Sequence, residues 1–118
     1  MAEKYFENAL KENPQNEEVS LWLTQVKLNL HKNDDAIRYA QQYLQLVPAG
    51  DQGYTLLGVA YAQSGSVEQA IADLNQAISI NANNPQAYYY LAMIYQQKGD
   101  KQTAERYMNI VKQFQAQR

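Results

Sequence analysis

His31 is the only histidine among the 118 residues, and the chain has no cysteine. Together these exclude a His-rich metal site, a thiolate nucleophile, a Cys-ligated zinc and a disulfide frame. The carboxylate pairs that could divide acid–base work are Asp34–Asp35 and Glu17–Glu18. Each pair opens an expected helix, where negative charge complements the positive end of the helix dipole. Both therefore read as helix-starting residues rather than a catalytic dyad. Tyr88–Tyr89–Tyr90 has the look of a stacking platform for bases or sugars. Consecutive helix residues point about 100° apart, so the three cannot share one surface. Tyr88 is assigned to the core, and only Tyr89 of the three to an open face. No Gly-rich phosphate loop, Ser–His–Asp set or carboxylate-rich metal loop is present. The chain reads as a non-enzyme without a cofactor.

Composition narrows the partners. Charged residues make up 19% of the chain, the net charge is -2 and the pI is near 5.3. A nucleic-acid or anionic-membrane binder would carry a basic face. Polarity comes instead from sixteen Gln and ten Asn, spread evenly rather than in tracts. No apolar run has membrane-spanning length. No apolar stretch follows Met1-Ala2-Glu3-Lys4, so the N-terminus does not read as a signal peptide. Lack of cysteine leaves the compartment open, since cytosolic and periplasmic chains can both lack it.

The elements that must position any site follow from a repeat. Tyr54, Leu57, Gly58, Tyr61, Gly65, Ala70, Leu74 and Ala77 return 34 residues later as Tyr88, Leu91, Ala92, Tyr95, Gly99, Ala104, Met108 and Val111. A fixed period of this length marks a solenoid whose units bury their apolar faces against one another. Apolar periodicity and breakers predict seven helices near 2–13, 17–31, 34–46, 52–64, 67–81, 86–98 and 101–116. Gly65 and Gly99 sit where a helix end wants positive φ, and Ser66 and Asp100 follow as N-caps, Ser66 with Gln69 at capping-box spacing. Pro14, Pro48 and Pro85 fall between helices. Val19, Trp22, Leu23 and Val26 form an apolar face 35 residues before Tyr54, Leu57, Gly58 and Tyr61. That spacing predicts one extra residue near His31-Lys32-Asn33 and, with Leu23 at the small position, a wider hairpin. Ala2, Phe6, Ala9 and Pro14 repeat Ala36, Ala40, Tyr43 and Pro48, so 2–16 reads as a lone second helix. The repeats divide as 17–50, 51–84 and 85–118, all in one domain. With no polar helix after the stripe Ala104, Met108, Val111 and Phe114, two expectations remain. Either the chain is a piece of a longer array with Met1 an added start, or Met108, Val111 and Phe114 pair between molecules.

This pattern resembles the tetratricopeptide repeat, whose signature is Trp-x2-Leu-Gly-x2-Tyr, then Ala-x3-Phe, then Pro. Tyr replaces Trp at the first position, and Ala82 stands where Pro is usual. The resemblance implies an all-α, right-handed solenoid of antiparallel helix pairs, with about seven helices here. It also implies that the first helices of successive pairs line a concave groove. Groove positions are then Gln52, Thr55, Val59 and Ala62; Gln86, Tyr89, Met93 and Gln96; and, with the one-residue shift, Glu17, Ser20, Thr24 and Lys27. Lys27 is the only cation in that set, too little for the multi-donor grip that a terminal carboxylate wants, so binding of an acidic chaperone tail is not expected. The leading expectation is a protein–protein interaction module holding an extended or helical partner segment in a mostly neutral groove. The alternative is an assembly scaffold, as in a bacterial envelope, secretion or polysaccharide-export complex, working through its ends or convex face. A sugar held by Gln86, Tyr89 and Gln96 ranks below both.

Overall fold

A computed structural model of the chain describes residues 2–117. Met1 lies outside the described residues, as does the side chain of Ala2, and so do the expectations placed on them. The described residues form seven helices and no strands. They are α1 (Ala2–Glu12), α2 (Glu17–Asn29), α3 (Asn33–Leu46), α4 (Asp51–Gln63), α5 (Val67–Ile80), α6 (Pro85–Lys98) and α7 (Lys101–Ala116). Each packs on its neighbours in sequence. In addition α2 touches α4 and α4 touches α6, so the first helices of the three hairpins lie side by side. The body is elongated, 47 × 30 × 25 Å, as expected of units that contact only their neighbours.

The helix ends fix the register and remove the expected extra residue. The N-caps of α2, α4 and α6 are Asn16, Gly50 and Asn84, each 34 residues after the last. The N-caps of the second helices are Lys32, Ser66 and Asp100, at the same interval. His31 has φ 58°, and Gly65 and Gly99 have φ 90° and 87°. One left-handed residue thus ends each hairpin's first half, with a histidine in the glycine position of the first. No insertion exists. Ser20, Leu23, Thr24 and Lys27 hold the places of Tyr54, Leu57, Gly58 and Tyr61, and all four are buried. The expected face Val19–Trp22–Leu23–Val26 is one residue out of register because Ser20 and Lys27 replace the two aromatic landmarks.

Ser66 occupies its cap position but makes no side-chain cap bond, whereas Asp100 accepts from the Thr103 N–H at 3.1 Å. Pro85 is inside the first turn of α6 rather than before it, where its missing N–H has no helical partner to lose.

Side-chain volume is traded across the hairpins. A Cβ on Gly58 would lie 2.8 Å from Leu74 Cγ and 3.2 Å from the Ala70 carbonyl. The corresponding pairs are Thr24 with Ala40 and Ala92 with Met108, so a larger first-helix residue goes with a smaller second-helix one in the first hairpin. The hairpin needs no widening at Leu23, which is a core leucine like Leu57 and Leu91. Tyr43, standing where α5 has Ala77, is buried because α4 starts with glycines. A Cβ on Gly50 or Gly53 would come within 2.7 or 2.6 Å of its ring.

Candidate groove on the first helices

Two clefts run along the face made by α2, α4 and α6. The first, about 280 Å³, is lined by Leu21, Trp22 and Gln25 from α2, Gln52 and Leu56 from α4, and Gln86 from α6. The second, about 190 Å³, is lined by Val59, Ala62 and Gln63 from α4 and by Tyr90, Met93, Ile94 and Gln97 from α6. Neither lining includes a charged side chain.

Of the residues expected in the groove, Gln52, Gln86 and Gln96 are at least partly exposed, as are Tyr89 (43%) and Met93 (40%). Glu17 is exposed in the first turn of α2. Val59 is buried and Ala62 half-buried, yet both line the second cleft. Ser20, Thr24, Thr55 and Lys27 are buried in the helix packing instead. Thr24 donates to the Ser20 carbonyl at 2.8 Å. Thr55 donates to the Asp51 carbonyl at 2.8 Å and accepts from Asn84 Nδ2 at 2.8 Å, while the same Nδ2 donates to Asp51 Oδ2 at 3.0 Å. Asn84 Oδ1 in turn caps α6 through the Ala87 N–H. Thr55 therefore joins the second repeat to the third and has no hydroxyl free for a ligand. Gln86 and Gln96 line separate clefts, so they do not converge with Tyr89 on one sugar-sized site.

Lys27, expected to supply the groove's only positive charge, points elsewhere. It is 4% exposed, and its Nζ donates to Glu3 Oε2 at 2.5 Å and Glu7 Oε1 at 3.3 Å, with Asp35 Oδ2 at 3.7 Å. Lys32 also donates to Glu3, at 2.8 Å. Burial alone would lower the Lys27 pKa, but the hydrogen bonds to Glu3 and Glu7 outweigh it and hold the ammonium above its ordinary value. Hydrogen bonds from Lys27 and then Lys32 hold the Glu3 carboxyl down to about 2. Asp35, expected only as a helix-starting residue, joins this cluster and also pairs with Arg38 at 3.1 Å. In the later hairpins Tyr61 and Tyr95 occupy the place of Lys27.

The register error hides the aromatic of the first cleft. Trp22, the chain's single tryptophan, is 53% exposed and stacks on Phe6 with ring centroids 6.4 Å apart. Leu21, Trp22 and Gln25 correspond to Thr55, Leu56 and Val59 at the 34-residue spacing. The cap residues Asn16, Gly50 and Asn84 carry the signal that could have found them. Tyr90 lines the second cleft and meets the ring of exposed Tyr89 edge-on at 5.5 Å. Tyr88 packs instead on Tyr107 and Phe114.

The expected end residues also separate. Val111 is buried and Phe114 packs on Tyr88, while Met108 lines an open cleft of about 560 Å³ between α6 and α7. No group of three or more potential metal ligands occurs among the described residues. No helix there is long and apolar enough to cross a membrane.

Antiparallel helix hairpins of fixed period, with their first helices lining one face, define a helical-repeat protein. Comparison with known proteins agrees. Residues 2–60 and 86–114 match tetratricopeptide repeat models, and 58–99 match a TPR repeat model. The chain belongs to the tetratricopeptide repeat family, whose repeats are typically non-enzymatic protein-interaction modules. The DnaJ homolog subfamily C member 3 of Gallus gallus is 29% identical over 114 residues, covering 84% of this chain and 23% of that protein. MamA from Desulfovibrio magneticus RS-1 superimposes with a TM-score of 0.86 at 22% identity, over 98% of this chain and 66% of that one. A thermophilic TPR protein of Thermus thermophilus gives 0.84 at 27% identity, over 92% and 62%. The chain thus spans less than a quarter of the curated relative and under two thirds of the length of these solved structures.

Proposed function

We propose that the chain binds a partner protein by holding an uncharged, apolar segment, extended or helical, against the face of α2, α4 and α6. The observation that carries this is the absence of any charged side chain from the lining of both clefts, with Trp22, Tyr89 and Met93 exposed on that side. Adjacent exposed apolar groups rimmed by amides are the usual mark of an interaction site. Lys27 already serves two carboxylates, which further weakens any case for an acidic chaperone tail.

Trp22 provides the assay, because it is the only tryptophan and lines the first cleft. A peptide panel graded in charge is titrated while its emission is followed. Uncharged apolar peptides are expected to bind best, with affinity nearly independent of salt. Trp22→Ala, followed by calorimetry, and Met93→Ala are each expected to weaken binding about tenfold or more. Micromolar binding of an acidic C-terminal peptide, with affinity falling steeply as salt is raised, would overturn the reading.

A second reading, an assembly scaffold, is favoured by the α6–α7 end cleft, the largest of the three clefts described. It predicts that substitution of Met108 disrupts assembly while Tyr89→Ala does not. An envelope, secretion or polysaccharide-export setting belongs to this reading, as does self-association through the chain's end.

A further inference from the structure

We propose that Asp73, flanked by Tyr54 and Tyr61, forms a notch that receives an arginine side chain of a partner protein. The notch lies in the middle hairpin and shares no residue with the clefts along the first helices. It therefore stands or falls independently of the groove.

Tyr5, Tyr39, Asp73 and Tyr107 follow one another at 34 residues, one in each second helix. Only α5 has an acid at this place. In the third hairpin Tyr107 stands between two tyrosines of α6, its ring centroid 6.2 Å from that of Tyr88 and 5.8 Å from that of Tyr95. The second hairpin keeps both flanking rings as Tyr54 and Tyr61, which pack on the core cluster containing Ala70, Leu74 and Ala77 of α5. The ring between them is replaced by the shorter carboxylate of Asp73. All three side chains are half-buried, so a ligand can still reach them. The first hairpin makes the reverse exchange, keeping Tyr39 and replacing the flanking rings by Ser20 and Lys27.

Charge points the same way. Residues 51–84 contain three acids, Asp51, Glu68 and Asp73, and no lysine or arginine. Asp51 accepts from Asn81 and Asn84, and Glu68 pairs with Lys98, the one charged residue of α6. On α3, Arg38 is paired with Asp35 and lies over the Tyr39 ring. Asp73 has no salt bridge among the described residues, and burial alone pushes its carboxyl up to about 6. A half-buried acid without a partner is unfavourable, and a tyrosine would fill the same place without that penalty. Departures of this kind from an otherwise consistent pattern are expected at functional positions.

The group that completes the notch must be cationic, flat and at ease between aromatic faces. A guanidinium meets all three conditions, because it pairs bidentately with a carboxylate and stacks on tyrosine. An ammonium supplies the charge without the plane.

The test is an NMR titration of the full chain with acetyl-Gly-Arg-Gly amide and with its lysine and citrulline counterparts. The arginine peptide is expected to bind with a Kd on the order of 1 mM, with shifts centred on Tyr54, Tyr61 and Asp73. The lysine peptide should bind at least about threefold more weakly, and the uncharged citrulline peptide should not bind. Asp73→Asn, its fold checked by circular dichroism, should weaken arginine binding about tenfold or more. Asp73→Tyr should abolish it and raise the melting temperature by completing the ring triad. Affinity should rise about tenfold between about pH 5 and about pH 7 as Asp73 ionises. Equal binding of the citrulline peptide, arginine binding indifferent to Asp73→Asn, or shifts centred on Asp51 or Glu68 would each overturn the proposal. A lower melting temperature for Asp73→Tyr would show that no ring-sized space exists there and would overturn it as well.

Discussion

His31 shows how much one residue can hide. It adopts the left-handed conformation that Gly65 and Gly99 adopt in the next two hairpins, and an L-residue with a Cβ is held there at a cost of about 1–2 kcal/mol. His31→Gly is expected to stabilise the chain by about 1 kcal/mol, read as a higher urea midpoint with an unchanged slope. A lower midpoint would mean that the imidazole makes a contact worth more than the strain. The same residue explains what the sequence conceals. With histidine in a glycine position, serine and lysine in tyrosine positions and threonine in the small position, the first hairpin keeps only Leu23 and Ala36 of the landmarks of the other two. Its apolar residues then align most readily one place off. That alignment assigns Trp22 to the core, and Ser20 and Thr24 to the groove. The exposure of Gln52, Gln86, Tyr89 and Met93 is legible because their repeats keep the landmarks.

At the scale of elements, α1 and α2 meet through an ion cluster where later hairpins use an aromatic against an aliphatic. Tyr95 and Ile71 belong to the same cluster, and Lys27 and Glu3 hold their places in the first hairpin. Periodicity identifies α1 as a second helix, but partners brought together across 24 residues leave no mark in a repeat pattern. The Glu3 carboxyl is lowered to about 2. Its contribution is therefore complete above the ordinary carboxylate range and lost as pH falls from there towards 2. Lys27 is raised, so its contribution is present at neutral pH and lost only above the ordinary lysine range. Acid should thus loosen α1 before it unfolds the remaining helices, seen as hydrogen exchange rising first in residues 3–12 between about pH 5 and pH 3. Replacing the pair by Glu3→Ile with Lys27→Tyr recreates the later contact. It should match or exceed the parent in thermal stability, since well-packed apolar residues commonly equal a buried ion pair. Lys27→Tyr alone should lower the melting temperature.

Across the whole molecule, charge is separated by surface, and that separates two kinds of binding by experiment. The clefts between first helices are lined by neutral residues, while the end cleft carries Lys101, Glu105 and Lys112. Screening acts on exposed charges and hardly on apolar burial. In a solenoid each unit answers mainly to its neighbours, so a ligand on one surface need not disturb the other except through Met93 and Gln97, which line both the second groove cleft and the end cleft. Raising salt from about 50 mM to about 500 mM should leave groove affinity within about twofold and, on the scaffold reading, weaken self-association through the end cleft several-fold. Calorimetry on a groove peptide and sedimentation without it provide the two readings on one preparation. Parallel loss of both would place the groove ligand on the charged end rather than between the first helices. Insensitivity of both would mean that Met93 and Met108, not Glu105 and Lys112, dominate the end contact.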